Sequence, residues 1–431
     1  MQPSPPMSPP FAPRKLVPVG VVTTWILLSA YVILTLPTQW VKAVLPYYGD
    51  VVFGVIMLLV AVPYLFLRSF WRGTSKWAVG LMLYGMFVTY LTRGSEGSWA
   101  LGWREFILDG LLFLAVAFGI KLGEASFDSL RTLVSRVSWV CVLMGTANIL
   151  LMRFGYVQID ADASNRVVSI SLFYVISPLL FLVPLQVVFR LGLLLPILSV
   201  AMVGLVAYFT LTRSIAIAFF LLFAQLLLLL LRRALGTFAT GFTVWLFLVF
   251  PLMALGGYYM MGSITDARGM DSIVNTTGRS LELEEFLDQM TTRGWVTGNG
   301  LGTGFLMNGY DPETGVPMKV ITTGLHYSTL TPVLKLGAVL TGFLWLALMY
   351  ATGRVFFGPG EVDQKAVLLV PFNYAVVYSI SGGWLASAYL IFGLALYLLF
   401  NFRAFAETAA AAAQPRPSDG RPLLHRRHRH L

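Results

Sequence analysis

Runs of about 20 apolar residues recur along the chain, and this is the length that an α-helix needs to cross the hydrocarbon core of a bilayer. Hydrophobic residues make up 57% of the sequence and charged residues 12%, whereas soluble domains carry roughly 25% charged residues. Because backbone polar groups find no water in lipid, each crossing has to satisfy its own hydrogen bonds as a helix. The sequence therefore predicts an all-α polytopic membrane protein.

About twelve runs meet this length criterion. They are 16–36, 51–68, 76–92, 105–121, 133–153, 168–189, 191–211, 214–231, 237–261, 328–353, 366–382 and 384–402. The predicted organisation is a disordered N-terminus at 1–15, helices 1–9 over 16–261, a long polar loop with short helices at 262–327, helices 10–12 over 328–402, and a basic cytoplasmic tail at 403–431 that is disordered from Ala409 onward.

The distribution of basic residues predicts the orientation of these helices, since Lys and Arg collect in the cytoplasmic loops of membrane proteins. If the N-terminus is cytoplasmic, most of the 30 Lys and Arg residues fall on the cytoplasmic side, including Arg232-Arg233 and the loop at 68–76. We therefore expect both termini to be cytoplasmic and the loop at 262–327 to lie on the opposite face. The same rule accounts for the net charge of +10, so no nucleic-acid partner is expected.

The sequence gives little support for metal or thiol chemistry. Cys141 is the only cysteine and lies within an apolar run. Three of the four histidines, His425, His428 and His430, stand together in the basic tail, where a solvated charge run is the simplest interpretation. Outside the tail the sequence has neither the Cys/His spacing of a zinc site nor a Gly-x-Ser-x-Gly motif. We predict no metal and no other cofactor.

The fourth histidine, His326, stands alone where the polar loop meets the tenth apolar run, and Arg279 lies in the same loop within Thr277-Gly278-Arg279-Ser280. An imidazole can take up a proton near neutral pH, and a guanidinium binds phosphate oxygens in a bidentate manner. This combination suggests chemistry on a phosphate-bearing substrate. The alternative is that His326 only caps the following helix. Arg268 and Arg293 are attributed to translocation of a long loop regardless of its charge.

Two further charged residues are candidates for the same site. Arg213 lies in a polar patch between the seventh and eighth runs, where we predict a tight hairpin, and its charge must either snorkel outward or face a polar cavity. Glu282 lies at the start of an amphipathic helix predicted over 281–290, which Thr277 or Ser280 could cap. Because a helix N-terminus beside an arginine favours anions, this stretch is predicted to bind one.

The glycine-rich run Gly298-Asn299-Gly300-Leu301-Gly302-Thr303-Gly304 resembles a nucleotide-binding loop only superficially. No strand is predicted before it, and it falls on the non-cytoplasmic side, so the context required of such a loop is missing. We predict instead a tight turn that lets the backbone approach a ligand.

Taken in order, these motifs resemble the O-antigen ligase and polymerase family, over roughly 210–345. The resemblance is carried by Thr212-Arg213-Ser214, Thr277-Gly278-Arg279-Ser280, the run 298–305, and Gly324-Leu325-His326 leading into Leu336-Gly337 and Gly342. Members typically have about twelve spans and a long periplasmic loop that holds the arginine and the histidine, in agreement with the orientation predicted from charge.

The resemblance implies a metal-independent membrane glycosyltransferase with a GT-C-like fold, in the bacterial inner membrane, with its active site facing the periplasm. It implies transfer of glycan from an undecaprenyl-diphosphate-linked saccharide onto a hydroxyl of a growing glycan (a polysaccharide polymerase) or of lipid A-core (an O-antigen ligase). Arg279 and Arg213 would bind the diphosphate, and Arg279 and His326 would be catalytic, with His326 as the base. Glu282 is the alternative base.

The chain departs from the family pattern at two positions. Tyr327 intervenes between His326 and Ser328, and Lys335 stands where many members have an acidic residue. Both changes concern the expected acceptor contacts, and they favour a polymerase over a ligase. Two other functions remain open: a transporter or flippase for a lipid-linked or anionic solute, whose pathway the arginines would mark, and a membrane scaffold on which the loop docks a partner.

Overall fold

The protein is mostly helical in a computed structural model, which describes residues 21–36, 75–92, 103–156, 170–210, 213–235, 282–310, 317–322, 330–378 and 386–413. The predicted spans 51–68 and 237–261 lie outside the described residues. The described elements follow one another in chain order. They are α1 (Val21–Leu34), α2 (Ser75–Thr92), α3 (Trp103–Gly123), α4 (Phe127–Arg153), α5 (Ile170–Val188), α6 (Leu194–Thr210), α7 (Arg213–Leu235), α8 (282–289), α9 (Thr292–Thr297), β1 (Phe305–Tyr310), β2 (Pro317–Thr322), α10 (Thr331–Leu336), α11 (Ala338–Phe357), α12 (Val362–Lys365), a short 3-10 helix (Ala366–Leu368), α13 (Leu369–Tyr378), α14 (Ala386–Phe400) and α15 (Phe402–Ala413).

Helices occupy every predicted span that falls within the described residues. By length and composition, three of these helices can cross a membrane, at Phe106–Gly123, Phe127–Arg153 and Ala338–Phe357. A fourth crossing is possible if Ala388–Phe400 and Phe402–Ala409, which are bent by 88°, form one broken span. These apolar helices give the chain its transmembrane character, and the total of about twelve spans stays a prediction.

Neighbouring helices run in the directions that successive crossings require. At one end of the α2–α3 pair, a Cβ placed on Gly110 would lie 3.6 Å from Met86. At the other end, Ala117 clusters with Ala78 and Val79, so the two helices are antiparallel.

The pair α3–α14 is parallel, as expected for the fourth and twelfth predicted spans. A Cβ on Gly393 would contact Val116, and a Cβ on Gly123 would lie 2.5 Å from the Tyr397 ring, so residue numbers rise together along the two helices. The absence of side chains at these glycines lets the two backbones approach closely, which is a common device where membrane helices associate.

The helix ends that carry the loops predicted as cytoplasmic lie together. Arg190 is ion-paired with Glu361, and its Nε lies 3.8 Å from Asp363 Oδ2, which joins the α5–α6 connection to the start of α12. The ring centroids of Phe127 and Phe189 are 5.3 Å apart, and Phe405 of α15 lies 5.9 Å from both. We call this end of the bundle the inner end.

A buried polar pair repairs a helix hydrogen bond that proline removes. Pro184 lies inside α5 and has no N–H to donate to the carbonyl of Leu180. The side chain of Asn373, fully buried on α13, donates to that oxygen at 2.7 Å and is also hydrogen-bonded to Gln225 of α7. The polar residue inside the eleventh predicted span therefore has a structural partner on α5.

Three features differ from the sequence prediction. The polar loop contains an antiparallel hairpin, β1–β2, so the fold is not entirely helical. The tenth predicted span is two helices, α10 and α11, separated at Gly337, whose φ of 81° and ψ of 160° interrupt the helix. The helix α15 packs on the inner end through Phe405 and extends to Ala413, so residues 409–413 of the stretch predicted to be disordered are helical.

Candidate functional site

Residues 282–310, 317–322 and 330–337 form a small body, which we call the outer unit. Its core is the ring of Phe286, which is fully buried and lies 5.9 Å from the ring centroids of both Trp295 and Phe305. Val333 and Leu334 of α10 complete the cluster. Since these side chains come from α8, α9, β1 and α10, burial of one aromatic ring joins elements that are far apart in the sequence.

Gln289, the last residue of α8, fastens that helix to the hairpin. Its Nε2 donates to the carbonyl oxygen of Leu306 at 2.6 Å, and its Oε1 accepts from the Leu306 amide at 2.9 Å. β1 in turn pairs with β2, with Phe305 opposite Thr322. The helix that follows Arg279 and the strand that precedes His326 are therefore held in the same unit.

The glycine-rich run joins the outer unit to the membrane helix α2. The Thr89 hydroxyl donates to the Leu301 carbonyl at 3.0 Å, and the Thr92 hydroxyl donates to the Asn299 carbonyl at 3.1 Å. The amide of Leu301 donates to the carbonyl of Gly85 at 3.3 Å. Polar groups that would otherwise be buried without partners at this junction are therefore paired with one another.

The same run also completes the C-terminus of α10, where backbone carbonyls lack partners within the helix. The Asn299 amide donates to the Leu334 carbonyl at 2.8 Å, and the Gly300 amide donates to the Lys335 carbonyl at 3.1 Å. The run therefore pairs with α10 on one side and α2 on the other.

Close backbone contacts explain the glycines of this junction, which have positive φ at Gly298, Gly300, Gly302 and Gly337. A Cβ on Gly302 would lie 2.6 Å from Phe106 Cα, and one on Gly337 would lie 2.6 Å from the carbonyl carbon of Val296. These contacts account for the glycines within the protein itself, because neighbouring groups fill the space that a Cβ would need, and approach of a ligand to this run stays a prediction.

An ion pair between a buried lysine and a partly buried aspartate lies at the centre of the junction. Lys335 Nζ is 2.8 Å from Asp109 Oδ2 and donates to the carbonyl oxygen of Thr303 at 2.7 Å. The same Asp109 oxygen accepts from the Gly302 amide at 2.7 Å. Burial of a charge is tolerated when it is paired and hydrogen-bonded, and both charges meet that condition here.

Sequence reasoning missed this ion pair, although a signal was present. Asp109 lies inside the fourth predicted span and Lys335 inside the tenth, and a charge within a span needs a partner. The sequence does not show which charges meet. The pairing also accounts for the departure at Lys335: its side chain is buried against α3, so the lysine belongs to the scaffold rather than to an acceptor contact.

Of the four predicted site residues, Glu282 and Arg213 lie within the described part of the chain. Glu282 is the first residue of α8 and is 1% exposed. Arg213 is the first residue of α7, directly after a two-residue connection from α6, which agrees with the predicted tight hairpin. Arg279 and His326 lie outside the described residues; in the chain they stand three residues before Glu282 and four residues after Thr322.

The start of α7 and the outer unit lie at the same end of the bundle. α6 begins beside the inner end, next to Arg190, and its 17 residues carry the chain away from that end by about 25 Å. Along α3, Asp109 is likewise separated from Lys121 at the inner end by about 18 Å. The backbone of Arg213 therefore lies at the end where Asp109 holds the outer unit.

Within the described residues, no group of three or more His, Cys, Asp or Glu side chains is arranged to hold a metal ion. Comparisons of the chain with models of protein families, with curated proteins and with solved structures find no match.

Proposed function

We propose that this protein is a membrane glycosyltransferase that moves glycan from an undecaprenyl-diphosphate-linked saccharide to an acceptor hydroxyl on the periplasmic face of the bacterial inner membrane. In this proposal it acts as a polysaccharide polymerase or an O-antigen ligase. One structural observation carries the proposal. The outer unit begins three residues after Arg279 and has described stretches before and after His326 in the sequence. It is fixed at the end of the bundle where Arg213 begins α7.

The proposed chemistry needs three functions from these residues. A diphosphate leaves readily when its negative charge is neutralised, and Arg213 and Arg279 can do this as bidentate donors without a metal ion. The attacking hydroxyl must lose a proton, and the imidazole of His326 is the proposed base, since histidine is the side chain that takes up a proton most readily near neutral pH. Glu282 is the alternative base and is held in the same unit.

A site at the end of the bundle is favoured over a transport pathway through it. Among the described residues, the buried charged side chains are Lys121, Glu282 and Lys335. Lys121 is in the last turn of α3, and the other two belong to the outer unit. A translocation pathway for an anion is expected to place charged groups near the middle of its helices, and the described helices bury none there.

Complementation of a polysaccharide-deficient strain tests the proposal directly. His326→Ala and Arg279→Ala are each checked for normal expression in the membrane, and the products are resolved by size as lipopolysaccharide and free polymer. We expect both variants to lose long glycan, by at least about 100-fold, because each removes a base or a charge that acts on the reacting groups. The species that accumulates would show whether polymerisation or ligation has failed.

Matched controls are available in the same chain. Arg293 is an exposed arginine on α9 of the outer unit, so Arg293→Ala removes the same charge without touching the proposed site. His428→Ala removes an imidazole from the basic tail. Unchanged glycan in both His326→Ala and Arg279→Ala would refute the transferase assignment. An equal loss of glycan in Arg293→Ala would show that the effect of Arg279→Ala is not specific to the proposed site.

A further inference from the structure

A hydrogen bond joins the two ends of the segment 303–335, in which His326 lies in the sequence. Lys335 lies nine residues after that histidine, and its Nζ donates to the carbonyl oxygen of Thr303 at 2.7 Å. Thr303 itself lies just before β1. The segment from 303 to 335, including the β-hairpin, therefore begins and ends at one point of the structure.

Asp109 fixes these joined ends of the segment to the membrane helix α3. One carboxylate oxygen lies 2.8 Å from Lys335 Nζ and accepts from the Gly302 amide at 2.7 Å, so it contacts both ends of the segment at once. The Lys335 and Asp109 side chains are 5% and 19% exposed. With so little water available, removal of either charge leaves the other without compensation.

The neighbouring backbone leaves the joined ends of the segment no room to shift. The backbone of Gly302 lies against the backbone of Phe106, one turn of α3 before Asp109. The backbone of Gly337 lies against that of Val296 and Gly298. A change in the position of the joined ends would therefore have to break the ion pair or force backbones into each other.

The geometry points to Lys335 and Asp109 as positioning residues for the proposed glycosyl transfer. They fix Thr303 and Lys335, the described residues at the two ends of the stretch in which His326 lies in the sequence, relative to the membrane helices, beside which a lipid-linked donor has to lie. The inference rests on the proposed function. A displacement of about 1 Å at a reacting group can lower a rate by about 100-fold. The pair itself contacts neither donor nor acceptor, so its loss should lower kcat and leave KM for the donor nearly unchanged.

The test compares three variants of the full chain in phospholipid nanodiscs. Lys335→Met removes the ammonium and keeps the length of the side chain, whereas Lys335→Arg keeps a cation that can still donate to Asp109 and Thr303. Arg403→Met is the control, since it breaks an exposed ion pair with Glu407 on α15, at the inner end. Two quantities are measured for each: kcat and KM for a lipid-linked saccharide donor, per folded protein, and amide hydrogen exchange of the peptide at 298–306.

For Lys335→Met we expect kcat to fall at least about 10-fold with KM within about twofold of wild type, together with faster exchange at 298–306. Lys335→Arg should restore most of both, and Arg403→Met should match the wild type. Unchanged hydrogen exchange in Lys335→Met would refute the conclusion that the ion pair holds the two ends of the segment together. Faster exchange with unchanged kcat per folded protein would refute the positioning role and leave only a structural one.

Failure of the proposed function gives a different pattern. If the wild-type protein transfers no glycan, both the transferase assignment and the positioning role are refuted, whatever the exchange data show. If the wild type is active and Lys335→Met is equally active, the positioning role alone is refuted.

Discussion

Gly337 and Gly342 belong to the same motif, yet the structure predicts opposite responses to alanine. Gly337 separates α10 from α11 with φ 81° and ψ 160°, and a Cβ there would lie 2.6 Å from the carbonyl carbon of Val296 and 2.7 Å from the amide nitrogen of Gly298. Gly342 lies inside α11, and a Cβ there would meet nothing within 4 Å. The two substitutions add the same methyl group five residues apart.

The magnitude follows from these two environments. The backbone angles of Gly337 belong to a region that is essentially restricted to glycine, and a side chain there costs about 1–3 kcal/mol. Since the clash is with backbone, no rotamer change relieves it, and we expect the upper end of that range for Gly337→Ala. Gly342→Ala should instead stabilise the protein by up to about 1 kcal/mol, because alanine favours a helix interior.

Tryptic cleavage after Arg293, measured under native conditions, reports opening of the outer unit. A loss of about 3 kcal/mol corresponds to roughly a 100-fold rise in the open fraction, and cleavage should accelerate by that factor in Gly337→Ala. Gly342→Ala should cleave no faster than the wild type. Labelling of Cys141, which is fully buried and is the only cysteine, follows global unfolding separately. Equal cleavage rates in the two variants would refute the role assigned to Gly337.

Two further predictions follow from the polar contacts. Asn373→Leu removes the donor to the Leu180 carbonyl that Pro184 leaves without a helical partner, so we expect a loss of about 1–3 kcal/mol, seen as a lower midpoint temperature for thiol labelling of Cys141. An unchanged midpoint would show that the carbonyl does not need this donor. Gln289→Ala frees both backbone groups of one residue of β1, and hydrogen exchange over 305–310 should rise at least about 10-fold while exchange in α4 stays at the wild-type rate. Equal exchange over 305–310 would mean that β2 alone protects the strand.

Much of the helical framework could be predicted from sequence, because a helix makes its backbone hydrogen bonds within itself. The runs 133–153 and 191–211 correspond to α4 and α6, and the polar patch beside Arg213 marks the break between α6 and α7. In each case the information is local: a stretch of apolar side chains, or a short polar interruption of one.

The outer unit was less predictable, because its structure depends on contacts between distant residues. The strands at 305–310 and 317–322 are short, and neither has a stabilising partner until the other is placed beside it. The glycine run gave a signal for close approach, but the sequence does not show that the groups approached are Thr89 and Phe106 of the membrane helices rather than a ligand.

The sequence by itself determined that the chain forms helices apolar enough to cross a membrane, where its described helices lie, and which residue types are available for the proposed chemistry. Only the tertiary structure decided that Lys335 forms an ion pair with Asp109 and that Asn373 donates to the Leu180 carbonyl, which Pro184 leaves without a helical donor. It also decided that the outer unit is fixed at the end of the bundle where α7 begins. The physical reason is the range of the interactions. Apolar length and helix formation are settled within about 20 consecutive residues, whereas a buried charge or an unpaired carbonyl is satisfied only by whichever distant side chain the packing of the helices brings within hydrogen-bonding distance.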